Sequence, residues 1–332
     1  MATLEIGDFS RRTVLTGAGW TRNWGGRLAK ELWQDLIGHV EVQQNERLFK
    51  LLLEEQSYEA ALERVRNEPY GHQDRSGLQR ALTDAFISMD RELAQYGHHT
   101  RINSYLVQEL LFRCWGLHGQ RINAGYLFTL NQDLWPERYL YSSVTYGAPR
   151  PSLPGLKVGA NVPLFMTTLG PYRDELIMQP VAEPAAHGSL IGSFNVIKLH
   201  GAFNWQSSGQ DSVMIVGAGK DAQIGNSALL SWYFEIFKRV LSAGDVRLLI
   251  VGYSFADEHV NAAIATAVER HDLKVFIWDT NDDLVRSLKD KLNGPQILNG
   301  LLSTSSRPLS EVFPGNQVET GEYRRIRDTV FG

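Results

Sequence analysis

Thr13-Val14-Leu15-Thr16-Gly17-Ala18-Gly19-Trp20-Thr21 runs on through Arg22-Asn23-Trp24-Gly25-Gly26. A short apolar run breaks into a Gly-Ala-Gly turn. Beyond Gly26 apolar residues recur at helical spacing, with Leu28, Leu32 and Leu36 flanked by Ala29, Trp33 and Ile37. The layout predicts a buried strand, a tight glycine turn and a helix. Glycine suits such a turn because backbone can then approach an anion closely and adopt angles that a side chain blocks. Amides at the turn and the helix start would cradle a phosphate. The dehydrogenase fingerprint Gly-x-Gly-x-x-Gly is not met, since Arg22 stands where its third glycine belongs and the next glycine is Gly25.

The 332 residues suffice for one large or two ordinary domains, and 43% hydrophobic with 21% charged residues describes an ordinary globule. A net charge of -4 argues against gripping nucleic acid by bulk charge. No apolar run approaches the ~20 residues of a membrane span. Glu5 and Asp8 sit where a signal peptide would carry lysines, so a cytoplasmic location is expected. The single cysteine, Cys114, excludes an internal disulfide and every multi-cysteine zinc site.

Residues 45–119 contain no convincing strand and read as a helical insertion or lobe, broken near Ser57, at Pro69-Tyr70-Gly71 and at Gly97, with a last helix from Asn103 to Trp115. Taken alone, such a block reads as a packing layer without chemistry. The strand signal returns at Gly125-Tyr126-Leu127-Phe128-Thr129 and ends in Leu130-Asn131-Gln132-Asp133. Residues 141–192, rich in proline and glycine, read as a long excursion with little regular structure. Phe194 to Lys198 is a short strand ending in Leu199-His200-Gly201. Val213 to Lys220 suggests a phosphate loop but lacks its spacing and reads as a turn. A helix from Ala228 to Leu241, a strand at 246–251 ending in Gly252-Tyr253-Ser254, a helix from Glu258 to Glu269 and a strand at 274–278 ending in Asp279-Thr280-Asn281 form a βαβ rhythm. The expected organisation is therefore one domain over 1–332: an α/β, doubly wound, Rossmann-like parallel sheet whose second half spans 193–300. The tail, 301–332, holds a loop from Ser303 to Asn316 and a short charged end, following a helix near Asp282 to Leu292.

Five strand ends thus carry glycine or polar clusters, and a parallel sheet would bring all five to one crevice. The ordered set resembles the sirtuin-like family, whose NAD-binding core shows a Gly-Ala-Gly-x-Ser loop, a Thr-Gln-Asn-x-Asp strand end, a His-Gly, a Gly-x-Ser and a late Asp/Asn cluster. Thr21 stands for the family's serine and Leu130 for its glutamine, and the arginine-containing stretch of deacetylating sirtuins is not recognisable in Gly25-Gly26-Arg27-Leu28. The four-cysteine zinc module of the deacetylases cannot be built. Sirtuin-like domains without that module and with helical insertions are similar to the NAD-hydrolysing effectors of bacterial antiphage defence.

The resemblance implies cleavage of the bond between nicotinamide and ribose, with NAD+ as substrate and no metal. Asn131 would hold a ribose hydroxyl or the attacking water, His200 would accept a proton, and Asp133 would orient either of them or contact the nicotinamide end. Gly17, Ala18, Gly19, Trp20 and Thr21 would wrap the pyrophosphate, Gly252 and Ser254 would lie by phosphate or ribose, and Asp279 or Asn281 by the adenosine hydroxyls. His39, His72, His98, His99, His118, His187, His259 and His271 show no metal-ligand spacing, although His259 lies one turn into a helix that could reach the ligand. Restraint on such an activity implies a homo-oligomer or a partner defence protein, with no direct nucleic-acid or membrane binding. An NAD-dependent deacylase or ADP-ribosyltransferase without zinc, and a non-catalytic module sensing NAD or ADP-ribose, are the rival readings.

Overall fold

A computed structural model describes residues 4–67, 69–96, 101–116, 122–140, 151–158, 177–208, 212–217, 219–316 and 318–332. Its strands are β1 (Arg12–Thr16), β2 (Ala124–Thr129), β3 (Pro151–Ser152), β4 (Leu156–Val158), β5 (Met178–Pro180), β6 (Ser193–Lys198), β7 (Gly201–Gln206), β8 (Ser212–Met214), β9 (Arg247–Val251), β10 (Lys274–Trp278) and β11 (Leu301–Ser305). Seven of them form one sheet in the order β11-β10-β9-β1-β2-β6-β3, and every neighbouring pair is parallel. The chain builds outward from β1 on one side as far as β6 and β3, then returns to its other side with β9. The switch point of this doubly wound α/β sheet therefore lies between β1 and β9, where such folds open a crevice.

Helices flank the sheet because its strands are apolar on both sides, which is the mark of a buried parallel sheet. On one face Phe128 of β2 meets Phe237 of the helix Ala228–Leu241, ring centroids 4.9 Å apart. Phe194 of β6 is in register with Gly125, one residue out of phase with Phe128, so it points the other way. There it meets Phe112 of the helix Ser104–Phe112 at 5.2 Å.

The helical lobe packs on the segment that follows the glycine loop, its long helix touching residues 22–24 and 29–38. Its helices Glu46–Glu55 and Tyr58–Arg64 start on Asn45 and Ser57, whose side-chain oxygens accept from backbone amides of the first turn. The long helix His72–Tyr96 is tied to the segment after β2 by the buried Asp90, which pairs with Arg138, and by Tyr139 Oη donating to the Leu93 carbonyl at 2.9 Å. The expected break at Gly97 lies outside the described residues. No helix among the described residues is long and apolar enough to cross a membrane.

Several expectations need correction. The 141–192 excursion carries regular structure: β3 joins the main sheet, while β4 and β5 join β7 and β8 in a second sheet of order β4-β5-β7-β8. Its residues 141–150 and 159–176 lie outside the described set. The turn at Val213–Lys220 divides, since Ser212–Met214 pairs antiparallel with β7 and a helix starts at Lys220. The tail is not mainly loop. β11 is the seventh strand of the main sheet, and the helix Gly321–Phe331 buries Tyr323, Ile326 and Val330 against the β9 side. The glycine turn is shorter than expected too, because a four-residue helix, Ala18–Thr21, follows Gly17 at once.

Glycine in that turn has a stronger cause than ligand approach. A Cβ on Gly17 would lie 2.5 Å from the Gly252 carbonyl oxygen, and one on Gly252, where φ is +63°, would lie 2.4 Å from the Trp20 amide nitrogen. The loops after β1 and β9 touch backbone to backbone. Gly252→Ala should therefore cost roughly 1–3 kcal/mol through strain and overpacking, read as a lower denaturation midpoint without any ligand. An unchanged midpoint would show that the two loops do not interlock.

Candidate active site

The loops at the carboxyl ends of β1, β2, β6, β9 and β10 open onto one cleft of about 600 Å³, inside the range of about 300–1,000 Å³ typical of small-molecule sites. Of the twelve residues expected in the site, Gly17, Ala18, Gly19, Thr21, Asn131, Asp133, His200, Gly252, Ser254, Asp279 and Asn281 line it. Trp20 does not. Its indole is 1% exposed and packs against Trp24 and Trp135, both at 5.1 Å, in an aromatic cluster beneath the glycine loop. The phosphate-wrapping role therefore cannot include that side chain.

Asn131 is held from two sides. Its amide hydrogen bonds to the Thr129 hydroxyl at 3.1 Å, and its Nδ2 donates to the Gly17 carbonyl at 3.0 Å and to Thr21 Oγ1 at 3.4 Å. With the nitrogen committed, the acceptor oxygen is what this side chain offers to a ligand. Asp133 is 3% exposed, and its Oδ1 accepts from the Trp135 amide at 2.9 Å. Burial pushes its carboxyl up to about 6, against the pull of Lys198, the Trp135 amide and Thr21.

Beneath Asp133 lies a buried ion pair. Lys198 Nζ reaches Glu137 Oε1 at 2.8 Å and donates to the Asp133 carbonyl at 2.5 Å. Both side chains are almost wholly enclosed. Breaking such a pair is costly, whereas replacing both partners with apolar residues is often neutral.

His200 ends β6 where the chain leaves one sheet for the other. Gly201, at φ +70°, turns it into β7, and a Cβ there would lie 1.8 Å from the Val213 carbonyl oxygen. This explains the His-Gly pair without reference to any ligand. The imidazole is 2% exposed, and burial pushes it down to about 3, so it is neutral at ordinary pH. Its Nε2 faces His259 Nε2 at 3.2 Å. His259 is also pushed below its ordinary value by burial, and its Nδ1 lies 3.5 Å from the exposed Asp221.

The sequence reading missed the charged rim. Lys220 Nζ donates to Asp257 Oδ1 at 2.7 Å and to Glu59 Oε1 at 3.3 Å, and burial is outweighed by those two carboxylates, so Lys220 keeps its charge. Arg22, Arg27 and Arg307 also line the cleft. Tyr58, Glu59, Phe86 and Met89 bring the helical lobe into its wall, so the lobe is more than a packing layer. The Gly219-Lys220 step and the Gly-Tyr-Ser-Phe-Ala-Asp run were the signals available. His98, His99 and His118 lie outside the described residues.

Residues 174–298 match the model of the SIR2-like domain family. The match takes in His200, Gly252, Ser254, Asp279 and Asn281. The glycine loop, Asn131 and Asp133 precede it and are joined to it by the sheet. No curated protein matches the chain. A SIR2-like domain supports NAD-related activity in the broad sense.

Two outcomes follow from the buried charges. Lys198→Met strands Glu137 and should cost about 3–5 kcal/mol, much of it recovered by adding Glu137→Leu, because an apolar pair can replace a buried ion pair. Denaturant unfolding of the three proteins checks this, and a double variant no better than the single would contradict it. Asp133 binds its proton more tightly folded than unfolded, so its contribution is greatest at low pH and is lost as pH rises through about 6. Asp133→Asn escapes that loss. Relative to the variant, the wild type should lose stability between pH ~4 and ~6 and hold level above. A pH-independent difference would place Asp133 in a different environment.

Proposed function

We propose that the cleft hydrolyses NAD+ to nicotinamide and ADP-ribose, and that the protein is a regulated NAD-depleting effector of bacterial antiphage defence. The observation that carries the reading is the meeting of Asn131, Asp133 and His200 with the Gly17–Gly19 and Gly252 loops in one cleft at the switch point of the sheet. The defence role rests on the likeness to sirtuin-like effectors that lack four zinc-binding cysteines and carry a helical lobe.

In the reaction the nicotinamide nitrogen leaves with the electron pair of its bond to ribose, and positive charge develops on the sugar. Water then attacks the anomeric carbon and gives up a proton. The Asn131 oxygen suits accepting a hydrogen bond from a ribose hydroxyl or that water; His200 takes the proton, and since burial keeps the resting imidazole weakly basic, it does so with Asp257 favouring the charged ring. Gly17, Ala18, Gly19 and Thr21 line one end of the cleft together with Arg22 and Arg27, whose guanidinium charges suit pyrophosphate. Asp279, whose Oδ1 accepts from the Asn281 amide at 2.8 Å, suits the adenosine hydroxyls.

His200 Nε2 is engaged by His259 and must release it before taking a proton. That supports a resting state of low activity, in keeping with control by self-association or a partner protein. Such a trigger works only by binding the competent state better than the resting one.

Purified protein incubated with NAD+ and assayed chromatographically should release nicotinamide and free ADP-ribose. An acylated ADP-ribose or a modified protein would indicate transfer, and intact NAD+ retained by the protein would indicate a sensor. Asn131→Ala and His200→Ala should each lower the rate by at least ~10² while the fold survives. Near wild-type turnover in either variant would remove that residue from the mechanism. Strong chelators should leave the activity standing, and its loss on metal removal would contradict the metal-free reaction.

A further inference from the structure

The ε nitrogens of His200 and His259 face each other at 3.2 Å, so one ring donates to the other or both turn lone pairs to a shared point, according to tautomer. His259 turns Nδ1 to Asp221 at 3.5 Å, and the Leu130 carbonyl accepts from the His200 ring. When each ring gives its proton to that oxygen, the two ε nitrogens face each other at 3.2 Å with a lone pair apiece. Such an approach is repulsive unless a positive centre stands between the rings. Asp257 is beside them: one ligand atom from each of the three side chains lies within 4.8 Å of the other two.

We propose that His200 Nε2, His259 Nε2 and a carboxylate oxygen of Asp257 form a site for a divalent transition-metal ion of the zinc class. Zinc–nitrogen bonds of about 2.0–2.1 Å at a tetrahedral centre set two ligand nitrogens roughly 3.3 Å apart, close to the spacing here. Metal-bound imidazoles hand their second N–H to a carbonyl or a carboxylate, the parts that Leu130 and Asp221 fill. Two imidazoles and one carboxylate suit zinc, whereas calcium and magnesium take oxygen shells. Lys220 is the competing cation. It holds Asp257 Oδ1 at 2.7 Å and has Glu59 at 3.3 Å as its second carboxylate, so it keeps an ionic partner when the metal shares Asp257. Spacing along the chain shows only part of this group, because Asp257 and His259 stand together at the start of one helix while His200 follows a strand more than fifty residues earlier. The ion takes the lone pair that proton acceptance needs, so it silences the cleft. That consequence rests on the NAD-cleavage reading, and the binding itself does not.

The test is titration of the full chain, first stripped of metal, with zinc(II) by calorimetry and with cobalt(II) by visible absorption. One ion per chain should bind. His259→Gln and Asp257→Asn should each weaken binding at least about tenfold, with His271→Ala unchanged and thermal unfolding confirming that every variant is folded. Zinc should also suppress nicotinamide release at the same saturation, with chelator restoring it. Failure to bind one ion, or binding that survives either substitution, overturns the site. If zinc binds as described while no nicotinamide is released even without it, the site stands and the NAD-cleavage reading fails.

Discussion

A row of backbone hydrogen bonds runs across the carboxyl edge of the main sheet, one residue beyond each strand. Asp279 donates to Ser305, Gly252 to Trp278, Gly17 to Val251, Leu130 to Thr16 and Leu199 to Thr129, all between 2.9 and 3.0 Å. The row fixes the level at which every loop leaves the sheet, and so the floor of the cleft. It also brings the loops after β1 and β9 so close that only glycine fits at Gly17 and Gly252, with the Gly19 amide donating to the Gly252 carbonyl at 3.0 Å. Asn131, Asp133, His200, Ser254 and Asp279 all leave the sheet at this edge.

From it, the polar side chains reach inward at fixed heights. Asn131 is pinned to Gly17 and Thr21, which couples the second strand end to the first. His200 sits where the chain passes from the seven-stranded sheet into the four-stranded one, and its carbonyl accepts from the Ile215 amide at 2.9 Å. Its imidazole is therefore fixed by two sheets at once. The helical lobe closes the opposite wall through Phe86, stacked on Phe203 of β7 at 5.6 Å, and through Glu59, which shares Lys220 with Asp257. A shift of the lobe would be felt directly at the Asp257 side of the cleft.

Much of this was legible in the sequence because parallel strands buried on both faces write themselves as unbroken apolar runs. Leu248 to Val251 and Val275 to Trp278 could be read as strands directly, and their polar ends then marked the cleft. β11 was missed because it is an edge strand. Leu301-Leu302-Ser303-Thr304-Ser305 is half-exposed and polar at its centre, so no apolar run announces it. The short strands β3 to β5 were lost among prolines and owe their pairing to distant partners such as β6 and β7. Trp20 was misassigned because adjacency to a glycine loop says nothing about which way an indole turns, and two further aromatic rings, Trp24 and Trp135, hold it inward. The Lys220–Asp257–Glu59 group and the His200–His259 contact were invisible for a simpler reason. Each joins residues far apart in the chain, and neither leaves a spacing to count.

On the proposed NAD+ reading, the dinucleotide sits along the edge formed by these five loops. Amide hydrogen exchange with and without saturating ADP-ribose, which binds without being cleaved at a nicotinamide bond, tests it most directly. Slowed exchange confined to the segments around Gly17–Thr21, Leu130–Asp133, Gly252–Asp257 and Asp279–Asn281 is the predicted result. Binding that leaves those segments unprotected, or protection centred elsewhere on the chain, would contradict it.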